Sequence, residues 1–184
     1  TDDDSGENGR IDYRITAGDN DTFGVFPDGQ IYLKSALDRE KSDYYSLTVG
    51  ASDNGEPERS STQTLTLHVS DINDNVPSFT KGIYKAEVAE DASVGSSILQ
   101  VEATDLDSEE NGRLEYSIIG DAEEWFRVSN NGTLFSRRAL DREEKQSFSF
   151  IVKATDAGQQ GGRHSATATV LLILKDVNDQ APLF

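Results

Sequence analysis

The sequence predicts an all-β chain of two tandem Greek-key β-sandwich domains in a linear array, the first lacking its early strands. Three observations predict it: apolar residues that alternate with period two, turn dipeptides at short intervals between them, and a domain-length internal repeat. Read in chain order, the turns fall at Asn8-Gly9, Asp28-Gly29, Asn54-Gly55, Asn111-Gly112 and Asn131-Gly132. Each is expected to supply the positive-φ position that a tight turn requires. Between them, Tyr45-Ser46-Leu47-Thr48-Val49, Thr64-Leu65-Thr66-Leu67-His68-Val69 and Ser147-Phe148-Ser149-Phe150 alternate polar with apolar, so each puts one face on a core and the other in water. Residues 166–174 turn continuously apolar after Val170, which predicts a strand covered on both faces near its end. No segment has helical periodicity long enough to compete, and seven or so short strands per ~100 residues fit a Greek-key sandwich.

The repeat sets the domain count. Asp2 and Asp4 return as Asp105 and Asp107, Leu37-Asp38-Arg39-Glu40 returns as Leu140-Asp141-Arg142-Glu143, and Ala51-Ser52-Asp53 returns as Ala154-Thr155-Asp156, all at a spacing of 103 residues. Solenoid units run at about 20–50 residues, so a period of this length is a whole domain. The segment from Asp156 to Asp176 is two residues longer than its earlier counterpart, because Asp71 returns only as Asp176. The two domains are assigned to residues 1–75 and 76–184.

Composition removes several functions. A formal charge of −17 argues against nucleic acid or an anionic membrane as partner, since both favour a basic surface. Zero cysteines exclude thiol catalysis, thiolate metal sites and disulfide scaffolds together. No apolar run approaches the ~18–20 residues that span a bilayer, and the N-terminus has no signal-peptide pattern, so this fragment is expected not to insert into a membrane itself.

The acids are concentrated in two punctuation marks: Asp71-Ile72-Asn73-Asp74-Asn75 before Val76-Pro77-Ser78-Phe79, and Asp176-Val177-Asn178-Asp179-Gln180 before Ala181-Pro182-Leu183-Phe184. Dense carboxylate, amide and carbonyl oxygens beside a stiff proline suit a hard cation at a hinge, and Ca²⁺ takes about 6–8 oxygen ligands.

These motifs, each present twice and together covering the chain, resemble the extracellular repeats of the cadherin superfamily, in the manner of protocadherins and of long cadherins of the Fat and Dachsous type. The resemblance implies three calcium ions between successive repeats. It places Asp38, Glu40, Asp71, the carbonyl of Ile72 and a bridging Asp74 on the two ions nearest the first domain. It places Asn73, the carbonyls of Asn75 and Asn111, and the carboxylates of Asp105, Asp107 and Asp156 on the third. Asp2, Asp4, Asn8 and Asp53 match half of a preceding linker, and Glu90, Asp141, Glu143, Asp176, the carbonyl of Val177, Asn178 and Asp179 match half of a following one. Glu90, in Val88-Ala89-Glu90-Asp91, has no counterpart in the first domain: Thr1 aligns with Thr104, so roughly 25 residues of an ordinary repeat precede that point. A fragment of a longer chain is expected.

The implied function is a calcium-binding extracellular module of a single-pass cell-membrane protein, mediating calcium-dependent adhesion or recognition with other cadherin ectodomains, homophilic or heterophilic, and with adjacent repeats of its own chain. Two other classes compete. One is a structural spacer without a partner surface. The other is a glycosidase using a carboxylate dyad, which needs two carboxyls across an open cleft at about 5–9.5 Å; acids gathered at repeat boundaries argue against it, and no enzyme is expected. Asn20 and Asn131 begin Asn-x-Thr triplets that accept glycans if the chain is secreted. Trp125-Phe126 reads as core filling, and neither His68 nor His164 as a metal ligand or base.

Overall fold

The computed structural model describes residues 9–158 and 162–178, and the chain divides into two compact units, Thr1–Ser70 and Asp71–Phe184. In the first unit, β1 (Ile11–Ala17), β2 (Phe23–Val25), β3 (Ile31–Leu33), β4 (Tyr44–Asp53) and β5 (Ser60–His68) follow one another. An antiparallel sheet of order β1-β4-β5 faces the β2-β3 hairpin. The alternation in β4 turns Leu47 fully inward, where Phe23 joins it, and Phe23 meets Tyr45 edge-on at 5.1 Å. Such a ring pair adds about 0.5–1.5 kcal/mol beyond its buried area. Among the described residues no strand lies on the outer side of β5.

In the second unit the corresponding edge is covered. Its strands are β6 (Ser78–Phe79), β7 (Ile83–Ala89), β8 (Ser97–Gln100), β9 (Ala103–Thr104), β10 (Leu114–Ile119), β11 (Phe126–Val128), β12 (Thr133–Ser136), β13 (Ser147–Asp156) and β14 (Ser165–Lys175). One 3₁₀ turn, Asp121–Glu124, lies between β10 and β11. A four-stranded sheet of order β10-β13-β14-β7 packs on the three-stranded β11-β12-β8, and β6 pairs with β9. β7 runs parallel to β14 while every other pairing is antiparallel. The inward residues Phe148, Phe150 and Val152 of β13 and Val170, Leu172 and Leu174 of β14 meet Phe126 and Leu134 from the opposite sheet in one core. Phe126 contacts Phe148 edge-on at 4.9 Å and stacks on Phe150 at 5.3 Å. Trp125 packs at the margin of this core, with the Arg138 guanidinium 4.0 Å above its ring.

Two expectations are corrected here. The apolar run after Val170 is not covered on both faces: β14 alternates throughout, and Ile173 is exposed. β7 covers the edge of β14 but leaves its outer face open. The turn glycines also differ in kind. Gly29 and Gly132 do adopt positive φ, at 87° and 80°, but Gly55 and Gly112 do not. Gly112 is needed for space instead, since a Cβ there would sit 2.0 Å from the Asp107 carbonyl oxygen.

Candidate metal centres

At the start of the second unit the chain from Asp71 to Asn75 lies against the loop that precedes β10 and the loop that follows β13. Asp71 Oδ2 accepts hydrogen bonds from the Ser108 N–H at 3.1 Å and from Asn111 Nδ2 at 2.9 Å. Asn75 donates through its backbone N–H to Asp107 Oδ2 at 3.2 Å and through Nδ2 to Asp107 Oδ1 at 2.6 Å and Asp74 Oδ1 at 2.9 Å. Asp105 Oδ1 accepts from the Asp107 N–H at 2.9 Å, an Asx turn that sets both acids on one loop.

Asn73 and Asp156 lie deepest. Asp156 is fully buried, and its carboxylate accepts from the N–H groups of Gly158 at 3.1 Å and His164 at 2.7 Å. Asn73 Nδ2 donates to Asp156 Oδ2 at 3.3 Å and to the Gly162 carbonyl at 2.5 Å. The opposite amide oxygen, Asn73 Oδ1, is buried and accepts no hydrogen bond, and the same holds for Asp105 Oδ2. Burial pushes the Asp105 carboxyl above its ordinary range, and the negative charges of Asp107 and Asp156 add to that push against the pull of the Asp107 N–H.

A buried acceptor without a donor costs about 1–3 kcal/mol, so two of them beside three carboxylates need a physical reason. An all-oxygen donor set with two bare oxygens and like charges pressed together fits a hard divalent cation and fits neither a thiophilic metal nor an anion.

A second constellation forms around Glu90. This buried carboxylate accepts from the Arg142 N–H through Oε2 and from the Val177 N–H through Oε1, both at 2.7 Å. One carboxylate oxygen from each of Glu90, Glu143 and Asp176 lies within 4.8 Å of the others. Asp141 Oδ1 accepts from the N–H groups of Glu143 and Glu144, and Arg142 Nη1 pairs with Asp176 at 3.0 Å. Asn178 is exposed.

The remaining sequence candidates are placed as follows. In the first unit, Asp38 accepts from Lys41, which pairs with it at 2.7 Å and holds its carboxyl below the usual range, and exposed Glu40 pairs with Arg39. Asp53 accepts from the Arg59 and Gly55 N–H groups at 2.9 and 3.0 Å, and those backbone bonds lower its pKa. Ile72 exposes its side chain, which leaves only its backbone for a ligand role. Asn20 and Asn131 are both exposed. Asp2, Asp4, Asn8 and Asp179 lie outside the described residues.

Three residues that the motifs did not single out complete the Asn73 seat. Gly162 supplies the carbonyl, His164 supplies an N–H to Asp156, and Gly158 supplies room, because a Cβ there would meet Asn73 Nδ2 at 2.3 Å. All three lie in the segment that the two-residue insertion lengthens. That insertion was the available signal.

The paired sandwich folds and their repeated Asp-x-Asn-Asp and Leu-Asp-Arg-Glu loops define a cadherin-type repeat protein. The family model described as Cadherin domain matches residues 1–70 and 84–173, and the chain belongs to that family. It is 38% identical to mouse Protocadherin Fat 4 over 184 residues, all of this chain and 4% of that protein. It is 42% identical to human Protocadherin-7 over 165 residues, 85% of this chain and 15% of that protein. A solved structure of mouse Cadherin-23 EC22-24 superposes with a TM-score of 0.84 at 34% identity, covering 97% of this chain and 58% of that one. The chain thus spans a small part of the curated relatives it matches. Among the described residues no helix is long and apolar enough to cross a membrane.

Proposed function

We propose that the chain is a calcium-binding extracellular module of a membrane-anchored cadherin, in which Ca²⁺ stiffens the junctions between successive repeats so that the ectodomain can take part in adhesion or recognition. The observation that carries this reading is the pair of buried, unpartnered oxygens on Asn73 and Asp105. Asn73, Asp105, Asp107 and Asp156, with the carbonyls of Asn75 and Asn111, would hold one Ca²⁺. Glu90, Glu143 and Asp176, with Asp141, Asn178, Asp179 and the carbonyl of Val177, would contribute to further sites. The resemblance assigns Asp38, Glu40, Asp71, Ile72 and Asp74 to two more, and Asp2, Asp4, Asn8 and Asp53 to another group. When bound, the cation would supply charge neutralisation; the protein would supply the cage, prepositioned by the bonds from Gly158, His164 and Asn111.

The chain's one tryptophan, Trp125, lies in the second unit and reports its unfolding. Extracellular modules bind Ca²⁺ at about 10⁻⁴–10⁻³ M, and ten times the dissociation constant stabilises a fold by about 1.4 kcal/mol. Urea titrations followed by Trp125 fluorescence should shift by about that amount between EDTA and millimolar Ca²⁺. Amide exchange at 73–75, 105–111 and 156–158 should slow most. Identical curves in the two buffers would end the calcium reading.

A further inference from the structure

The outer face of the β10-β13-β14-β7 sheet carries a row of isoleucines that the fold does not require. Register places Ile119 opposite Ile151, Ile151 opposite Thr169 and Thr169 opposite Ile83, straight across the sheet. Two and four residues further along β14 on the same face stand Leu171 and Ile173. The four isoleucines are between 42% and 54% exposed.

The first unit provides the control. At the repeat spacing its β1-β4-β5 sheet carries Thr16, Thr48 and Thr64 where the second has Ile119, Ile151 and Thr169, and it carries Thr66 and His68 where the second has Leu171 and Ile173. Thr16 donates to the Thr48 carbonyl at 3.1 Å, and the Thr48 and Thr64 hydroxyls are 3.1 Å apart, a polar lattice suited to water. The first unit's strands also shift register between Ile15 and Ala17, where the second pairs Ile119 with Ile151 without a break, and of the two only the second presents an apolar row. A contiguous exposed apolar patch of this kind marks a contact.

Charge selects the occupant. The β7 edge carries Lys81 and Lys85, both exposed. The opposite edge, beyond Ile119, runs into the exposed acids Asp121, Glu123 and Glu124; Arg137 donates to the Glu123 carbonyl there. On the face itself Glu87 is paired with Lys175 at 2.7 Å and Glu115 with Arg163, and the half-buried Lys153, between Ser117 and Thr167, adds a cation beside the apolar row.

We propose that this face pairs with the same face of a second copy of the chain, side by side and pointing the same way. A two-fold axis along the strands lays β10 of one copy on β7 of the other. Ile119 then meets Ile83, Ile151 meets Thr169, and Lys85, two residues beyond Ile83, comes to the end of β10, where Gly120 leads into the acidic turn Asp121–Glu124. Turning the second copy to point the opposite way would instead bring Lys85 onto Lys81, so like charges disfavour it. Four strands at ~4.8 Å and about eight residues at ~3.3 Å give roughly 500 Å² per copy. That lies at the low end of specific interfaces, so the dimer is weak and populated at about 10⁻⁴ M protein. The proposal rests on the recognition-module reading, but the face lies within one unit and its pairing is measured with and without calcium.

Sedimentation equilibrium of the whole chain in Ca²⁺ and in EDTA tests it. Wild type should show a reversible monomer–dimer equilibrium in both buffers, so failure of the calcium reading leaves this result standing. Ile119→Thr with Ile151→Thr, the residues that the first unit carries, should weaken the dimer at least tenfold while the Trp125 unfolding curve stays in place. Lys85→Glu should weaken it, and so should Asp121→Lys, and mixing the two variants should restore a heterodimer. A monomer at every concentration, or an unchanged dimer in the threonine variant, overturns the proposal. A tighter dimer with Lys85→Glu overturns the same-direction arrangement.

Discussion

Replacing Asp156 with alanine should cost the second unit about 3 kcal/mol even in EDTA. The side chain is fully buried and accepts from two backbone N–H groups and from Asn73 Nδ2. Truncation strands those donors, each at about 1–3 kcal/mol, and relief of the repulsion between Asp156 and Asp105 offsets part of the sum. Asp156→Asn keeps an acceptor oxygen in the same place and should lose less. Urea unfolding read by Trp125 measures both. A loss below about 1 kcal/mol for the alanine variant would mean that Asp156 serves ligand binding alone.

Asp156 also shows what a sequence can carry. The strand alternation put Leu47, Phe148 and Phe150 inside without ambiguity, because a pleated strand with one wet face has a single register that buries its apolar residues. The candidate cage came from the family resemblance that the repeated acidic motifs carry, because oxygen ligands must be supplied by residue type and those types stand in the motifs. What stayed hidden depended on space and backbone direction. Nothing in the string distinguishes Gly112 from Gly29 and Gly132, since a glycine kept for room looks like a glycine kept for positive φ. Gly158 and Gly162 matter through one asparagine amide more than 80 residues earlier in the chain.

The misreading of residues 170–174 had a different origin. Continuous apolar sequence normally means burial on both faces, and the core demanded Val170, Leu172 and Leu174. Leu171 and Ile173 lie outside that demand, and the equivalent positions of the first unit are Thr66 and His68. The local pattern was therefore a sum of two requirements, a core on one face and an open apolar face on the other, which periodicity alone cannot separate.

Asp105→Asn should change sign with calcium. In EDTA the wild-type carboxylate is held against its own burial and against the charges of Asp107 and Asp156. An amide removes that charge while its oxygen still accepts from the Asp107 N–H. The calcium-free variant should therefore be more stable than wild type by about 1 kcal/mol, the low end for a close like-charge pair. In millimolar Ca²⁺ the order should invert, because a neutral amide is the weaker ligand and the variant forfeits much of the ~1.4 kcal/mol that binding at ten times the dissociation constant supplies. Parallel urea titrations in the two buffers, read at Trp125, give all four free energies of the cycle. Destabilisation by the same amount in both buffers would assign Asp105 to loop structure and remove it from the cation cage.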